Sequence, residues 1–201
     1  ICLENCNNTF DYLLENDLLK IEELESCLFQ VIMTLLLYQK TFNFTHNDLH
    51  TNNIMFVETN REYLYYSYNN IHYKVPTFGK IFKIIDFGRS IYTYENKVFA
   101  SDSFFKDGDA STQYNMEPFL DESKPRLERN YSFDLTRLAC SLFDFIVDDI
   151  DDVEGLKIIP IYETIIDWCL DDKGRNILYK KNGEERYPDF KLYKMITRSV
   201  H

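Results

Sequence analysis

Positive charge is scarce in this 201-residue chain, where 22 lysines and arginines face 33 aspartates and glutamates for a formal net charge of −11. The lysines are scattered rather than gathered in a stripe. That excludes the electrostatic footprint of a protein that grips a phosphate backbone, and no nucleic-acid partner is expected. Long hydrophobic runs are missing too. The most apolar stretch, Cys27 to Tyr38, is broken by Gln30 and Thr34 and falls short of the roughly 20 residues needed to cross a bilayer, so no membrane partner is expected. The five cysteines, Cys2, Cys6, Cys27, Cys140 and Cys169, are odd in number and widely spaced, without a CxxC pair or histidines at zinc spacing. Reduced thiols in a cytoplasmic setting are the expectation. No secretory signal or initiator Met opens the chain, which begins ICLENC and ends TRSVH inside a helical pattern. A piece of a longer protein is expected. Internal repeats and low-complexity tracts are also missing.

What is present is ample material for one core. A chain of this length buries roughly 70% of its unfolded surface as a single domain, taken here as residues 1–201. Thr9 is placed to cap a short helix, FDYLLE. From Ile21 to about Phe42 the apolar residues Leu24, Leu28, Val31, Leu35, Tyr38 and Phe42 follow helical spacing, and further apolar residues widen the stripe. The pattern predicts a helix lying in the core rather than on it. After Asn43 comes FTHNDLHTNNIMF, read as a loop between two short strands. The tyrosine-rich EYLYYSYNNIHYKVP follows, with Asn69 and Asn70 at the turn of a hairpin. KIFKIIDFG is a strand ending at Asp86. Residues 89–128 carry few regular patterns, as functional loops or solvated excursions do. Ser132 to Val147 reads as a second buried helix; another is expected around Ile159 to Leu170, and a short one in KLYKMITRSV.

Three side chains carry recognisable chemistry. Asp48, Asn53 five positions later, and Asp86 at the head of a DFG triplet are a carboxylate to receive a hydroxyl proton and two oxygen donors suited to Mg²⁺. Gly88 lets the backbone turn sharply after Phe87. Each piece alone arises easily by chance. Their order, after one buried helix and before a long loop and a second buried helix, is specific.

On these residues the chain resembles the C-terminal lobe of the protein-kinase-like superfamily, and most of all the kinases encoded by large DNA viruses. The resemblance spans essentially all 201 residues. It implies an α+β fold, mainly α, with buried central helices and short β-hairpins carrying the catalytic loop and DFG. It also implies ATP and Mg²⁺ as cofactors, a protein substrate, serine/threonine specificity, and host cytoplasm or virion as the setting. Asp48 corresponds to the catalytic base, and Asn53 and Asp86 to the metal ligands. LENC corresponds to the hinge, where Glu4 and Cys6 meet adenine and Met55 and Ile85 floor and back its pocket. His46 corresponds to the histidine packed under the catalytic loop. Asp134 corresponds to the buried aspartate that anchors that loop, although a helix N-terminal acid is also favoured there by the dipole.

Departures from the pattern carry information as well. Asn47 stands where many kinases have the arginine that pairs with a phosphorylated activation loop, so activation by that route is not expected. His50 stands where serine/threonine kinases carry a phosphate-contacting lysine, and its role is open between catalytic and structural. Asn53 and Asp86 are 86 − 53 = 33 positions apart, so the ribbon at about 58–80 reads as an insertion, and the activation segment as about 86–120. TQYNMEP replaces the usual APE motif. No glycine-rich loop with paired lysine and glutamate precedes LENC, so these residues alone are expected to transfer phosphate poorly. A small-molecule kinase of the aminoglycoside or choline type is the enzymatic alternative, since HNDLH suits those loops. A pseudokinase binding module is the non-enzymatic one.

Overall fold

The computed structural model describes residues 4–201; Cys2 and Leu3, the latter part of the hinge-like LENC, lie outside the described residues. The chain divides into two compact units, Ile1–Tyr38 with Thr51–Asp86, and Gln39–His50 with Phe87–His201.

The first unit is built on a three-stranded antiparallel sheet in the order β1 (Asn8–Thr9), β2 (Ile54–Glu58), β5 (Lys80–Ile84). In β2 and β5 the register pairs Ile54 with Ile84 and Phe56 with Phe82, all four buried. Side chains alternate across a strand, so Asn53, Met55, Lys83 and Ile85 share the opposite face. Thr9 caps α1 (Phe10–Glu15) by accepting from the Tyr12 amide, and the Phe10 ring meets Phe82 edge-on at 5.8 Å.

The long helix α2 (Ile21–Phe42) buries one stripe, Leu24, Cys27, Leu28, Val31 and Leu35, while Leu37 is 61% exposed. It therefore lies on a core rather than inside one, contrary to the expectation from its composition. The polar residue that breaks its apolar run has a structural role. Gln30 Oε1 accepts from the Phe82 amide at 3.0 Å and Nε2 donates to the Lys80 carbonyl at 3.3 Å, closing backbone groups that β5 leaves open on that edge. The tyrosine-rich ribbon is a hairpin of β3 (Tyr63–Tyr68) and β4 (Ile71–Pro76). Its turn falls on Asn69 and Asn70, at φ 51° and 63°, the left-handed values that asparagine tolerates in such turns. The ribbon leans on α2: Phe29 contacts the rings of Tyr66 at 5.9 Å and Tyr73 at 5.2 Å.

In the second unit α3 (Ser132–Ile146) is central, with Phe133, Leu138, Ala139, Leu142 and Phe143 buried. α5 (Pro160–Trp168) and α6 (Lys191–Ser199) pack on it, and a single turn, α4 (Val153–Leu156), precedes α5. Segment 89–128 is no solvated excursion. It contains a small hairpin, β6 (Tyr92–Tyr94) with β7 (Lys97–Phe99), turning at Glu95 and Asn96 with φ 47° and 60°. It also supplies a core of its own, Ile91, Phe104, Ala110, Tyr114 and Met116. Cys6, Cys27, Cys140 and Cys169 are free thiols, and no helix among the described residues is long and apolar enough to cross a membrane.

Candidate active site

The loop 44–50 belongs to the second unit and is held from three sides. Thr45 exchanges both backbone hydrogen bonds with Ile91, at 2.9 and 3.0 Å, and the Arg129 guanidinium donates to the Ile91 carbonyl at 2.6 Å. From the first turn of α3, the fully buried Asp134 carboxylate accepts the His46 amide on Oδ2 and the Asn47 amide on Oδ1, each at 2.8 Å. Burial pushes the pKa of Asp134 up; the His46 ring and the two amides oppose that shift without cancelling it.

With its backbone fixed, the loop turns at Asn47, which sits at φ 64°, a conformation asparagine adopts more readily than most residues. The Asn47 side chain joins the loop to segment 89–128. Its Nδ2 donates to the Arg89 carbonyl at 2.9 Å, and its Oδ1 accepts from the Tyr114 hydroxyl at 2.7 Å. Both partners, Arg89 and Tyr114, belong to that segment. His46 is wholly buried, with its ring 5.6 Å from that of Phe87. Its Nδ1 accepts from the Asp48 amide at 3.3 Å.

Asp48 emerges from this frame part-exposed. Its Oδ1 accepts from the Tyr193 hydroxyl of α6 at 2.5 Å and lies 3.9 Å from His50 Nε2. Tyr193 stacks on Phe190 at 5.0 Å, with the guanidinium of Arg137 at 5.0 Å and that of Arg89 at 5.8 Å from its ring. Burial, foremost, and the Asp48 carboxylate raise the pKa of Tyr193 despite Arg137, so the phenol keeps its proton and acts as the donor. Sequence reasoning missed Tyr193, Arg129 and Tyr114. Tyr193 is 145 positions from Asp48, and no local spacing announces it.

The remaining candidates belong to the first unit. Asn53 closes a single 3₁₀ turn, Thr51–Asn53, and its carbonyl accepts the Ile85 amide at 3.0 Å. That bond extends the β2–β5 ladder by one step, so Asn53 at one strand's start stands beside Asp86 at the other's end. Asp86 is exposed, and its φ of 58° turns the chain sharply off the strand. On the same sheet face, Met55 pairs with Lys83, whose ammonium is bonded to the Glu4 carboxylate. Met55 and Ile85 are half-buried, as is Cys6.

The first unit thus brings together Asn53, Asp86, Met55, Ile85 and Glu4, and the second brings together Asp48, His50 and Tyr193. No cluster of three or more histidine, cysteine or acidic side chains arranged as a metal site occurs among the described residues. A neighbouring amide and carboxylate offer hard oxygen donors of the kind Mg²⁺ takes in ones and twos, with water and phosphate completing its shell.

No family model matches the chain. Over 129 residues, 51% of this chain and 32% of the relative, it is 34% identical to a protein of Acanthamoeba polyphaga mimivirus named "Putative serine/threonine-protein kinase". The chain has viral kin bearing a kinase name. Over 181 residues, 88% of this chain and 27% of the relative, it is 26% identical to an uncharacterized protein of Invertebrate iridescent virus 6. The matches thus span about a third or less of the length of these curated relatives.

Proposed function

We propose that the chain is the C-terminal-lobe portion of an ATP- and Mg²⁺-dependent protein kinase directed at serine or threonine hydroxyls. One observation carries the reading. The carboxylate of Asp134 fixes the two backbone amides that precede Asp48, which is what a site needs when its work is positioning rather than covalent chemistry. The mimivirus relative's name supports the same class.

In this reading Asn53 and Asp86 would hold the metal, Met55 and Ile85 would face the base, and backbone at Glu4 and Cys6 would meet its edge. Bound there, the metal-nucleotide supplies the phosphoryl group. The acceptor hydroxyl gives its proton to Asp48 as its oxygen bonds to phosphorus and the bond to the departing nucleoside diphosphate breaks. Tyr193 keeps the Asp48 carboxylate in one rotamer, and His50 lines the approach.

The test is phosphate transfer from labelled ATP by the full-length protein, offered mixed proteins in one reaction and polar metabolites in another. Label in protein is expected, and Asp86→Asn is expected to raise the Mg²⁺ concentration for half-maximal rate at least tenfold. Label confined to metabolites would replace the reading with a small-molecule kinase. Nucleotide binding without transfer to either would replace it with a binding module.

A further inference from the structure

Resting on the kinase reading, we infer that a groove in the second unit selects protein substrates carrying acidic residues beside the acceptor hydroxyl. The groove has a volume of about 1310 Å³ and is lined by segment 104–127 on one side and by Lys194 and Arg198 of α6 on the other.

Its charge runs against that of the rest of the molecule. In a chain of net charge −11, α6 (KLYKMITRS) holds Lys191, Lys194 and Arg198 and no acidic residue. Lys194 and Arg198 lie four positions apart, on one helical face, where like charges repel. No carboxylate among the described residues relieves them. Arg198 donates to two carbonyls, those of Thr112 at 3.0 Å and Lys194 at 3.1 Å, which aims the guanidinium without neutralising it. Burial lowers its pKa, the sign of a cation short of an anion.

Elsewhere on the wall the charges are largely matched. Lys124 is paired with Asp121 at 2.8 Å, Arg126 with Glu128, and Lys106 adjoins Asp107 in sequence. Glu122 adds one negative charge to the lining. The uncompensated positive end is therefore the α6 end, and a planar guanidinium beside an ammonium fits carboxylates.

That end is also tied to the candidate base. Tyr193, the residue before Lys194, donates to Asp48. In the proposal, an extended peptide whose hydroxyl reaches Asp48 runs on toward the α6 cations.

Two measurements on the full-length protein separate this inference from the reading it rests on. In the first, a fluorescent peptide with one serine flanked by glutamates is titrated by anisotropy into the Asp48→Asn variant, so that no turnover is required. Binding is expected to weaken at least tenfold in K194E/R198E, to weaken less in K194Q/R198Q, and to weaken with added salt. Thermal unfolding of each variant serves as the folding control. In the second, kcat/KM is compared for glutamate-flanked and alanine-flanked serine peptides. The acidic one is expected to win at least tenfold, and K194E/R198E to erase the preference. Turnover without acidic preference, or equal binding by K194E/R198E, would overturn the groove assignment and leave the kinase reading standing. Acidic-peptide binding in a protein that transfers no phosphate would do the reverse. Concentration-dependent self-association abolished by K194E/R198E would overturn it in favour of a second copy as the occupant.

Discussion

At the scale of single residues, carboxylates fix the conformation of this protein through the backbone amides they accept. Asp134 is one case and Asp171, just after α5, is another. Asp171 Oδ1 accepts the amides of Lys173 at 3.0 Å and Arg175 at 2.9 Å, while Oδ2 takes Arg175 Nε at 2.9 Å and Nη2 at 2.6 Å. Burial works to raise its pKa, but the Arg175 side chain and the two amides outweigh it, and the net shift is downward. A depressed folded-state pKa means stability that is fully present above the unfolded value, about 3.9, and lost as pH falls through the folded one. Asp171→Asn is therefore expected to cost about 1–2 kcal/mol at pH 7, discounted for the half-exposed Arg175 partner. In urea unfolding the gap from wild type should narrow as pH falls below the unfolded carboxylate value of about 3.9 and through the lower folded one. A gap independent of pH would contradict the assignment.

The elements show which parts of the fold are legible in the chain. Helical periodicity located α2 and α3, because an apolar stripe at 3.6-residue spacing survives any tertiary detail. The paired asparagines located the β3–β4 turn for an equally local reason. The β6–β7 hairpin was not legible, since YTYENKVF sits in a polar segment and turns on Glu95 and Asn96. Nor was the burial of α2, where composition suggested a helix covered on all faces and the structure leaves Leu37 in solvent. Asp134 was legible through the resemblance, Tyr193 not at all, because a contact spanning 145 positions leaves no trace in spacing.

Two predictions belong to this scale. Gln30→Leu keeps the apolar stripe of α2 but strands the Phe82 amide it now satisfies, and equilibrium unfolding should show a loss of about 1–3 kcal/mol. A neutral result would mean that β5 needs no side-chain partner on that edge. Gly108→Ala would place a Cβ 2.3 Å from the Ser103 carbonyl oxygen, against backbone that cannot swing aside as a side chain does. Accepting it requires the 103–110 turn to shift, at about 1–3 kcal/mol. Because this turn borders the core formed with Phe104 and Tyr114, proteolysis within 100–115 should accelerate in the variant. Unchanged cleavage would show that the turn yields without strain.

For the whole molecule, the two units divide the candidate chemistry between them. The oxygen donors Asn53 and Asp86 stand at adjacent strand ends of one unit, and the carboxylate Asp48 stands on the anchored loop of the other. The chain passes between the units after Tyr38, after His50 and after Asp86. Neither viral relative is matched over more than 32% of its length, so activity is a property to be measured on the full-length protein. The most direct measurement is the turnover number of Asp48→Asn with saturating Mg²⁺ and ATP, with nucleotide affinity determined in parallel. Loss of a positioned base predicts a fall in kcat of about 10² to 10⁴ with nucleotide affinity unchanged. Turnover at the wild-type rate would remove Asp48 from the chemistry, and the proposed function with it.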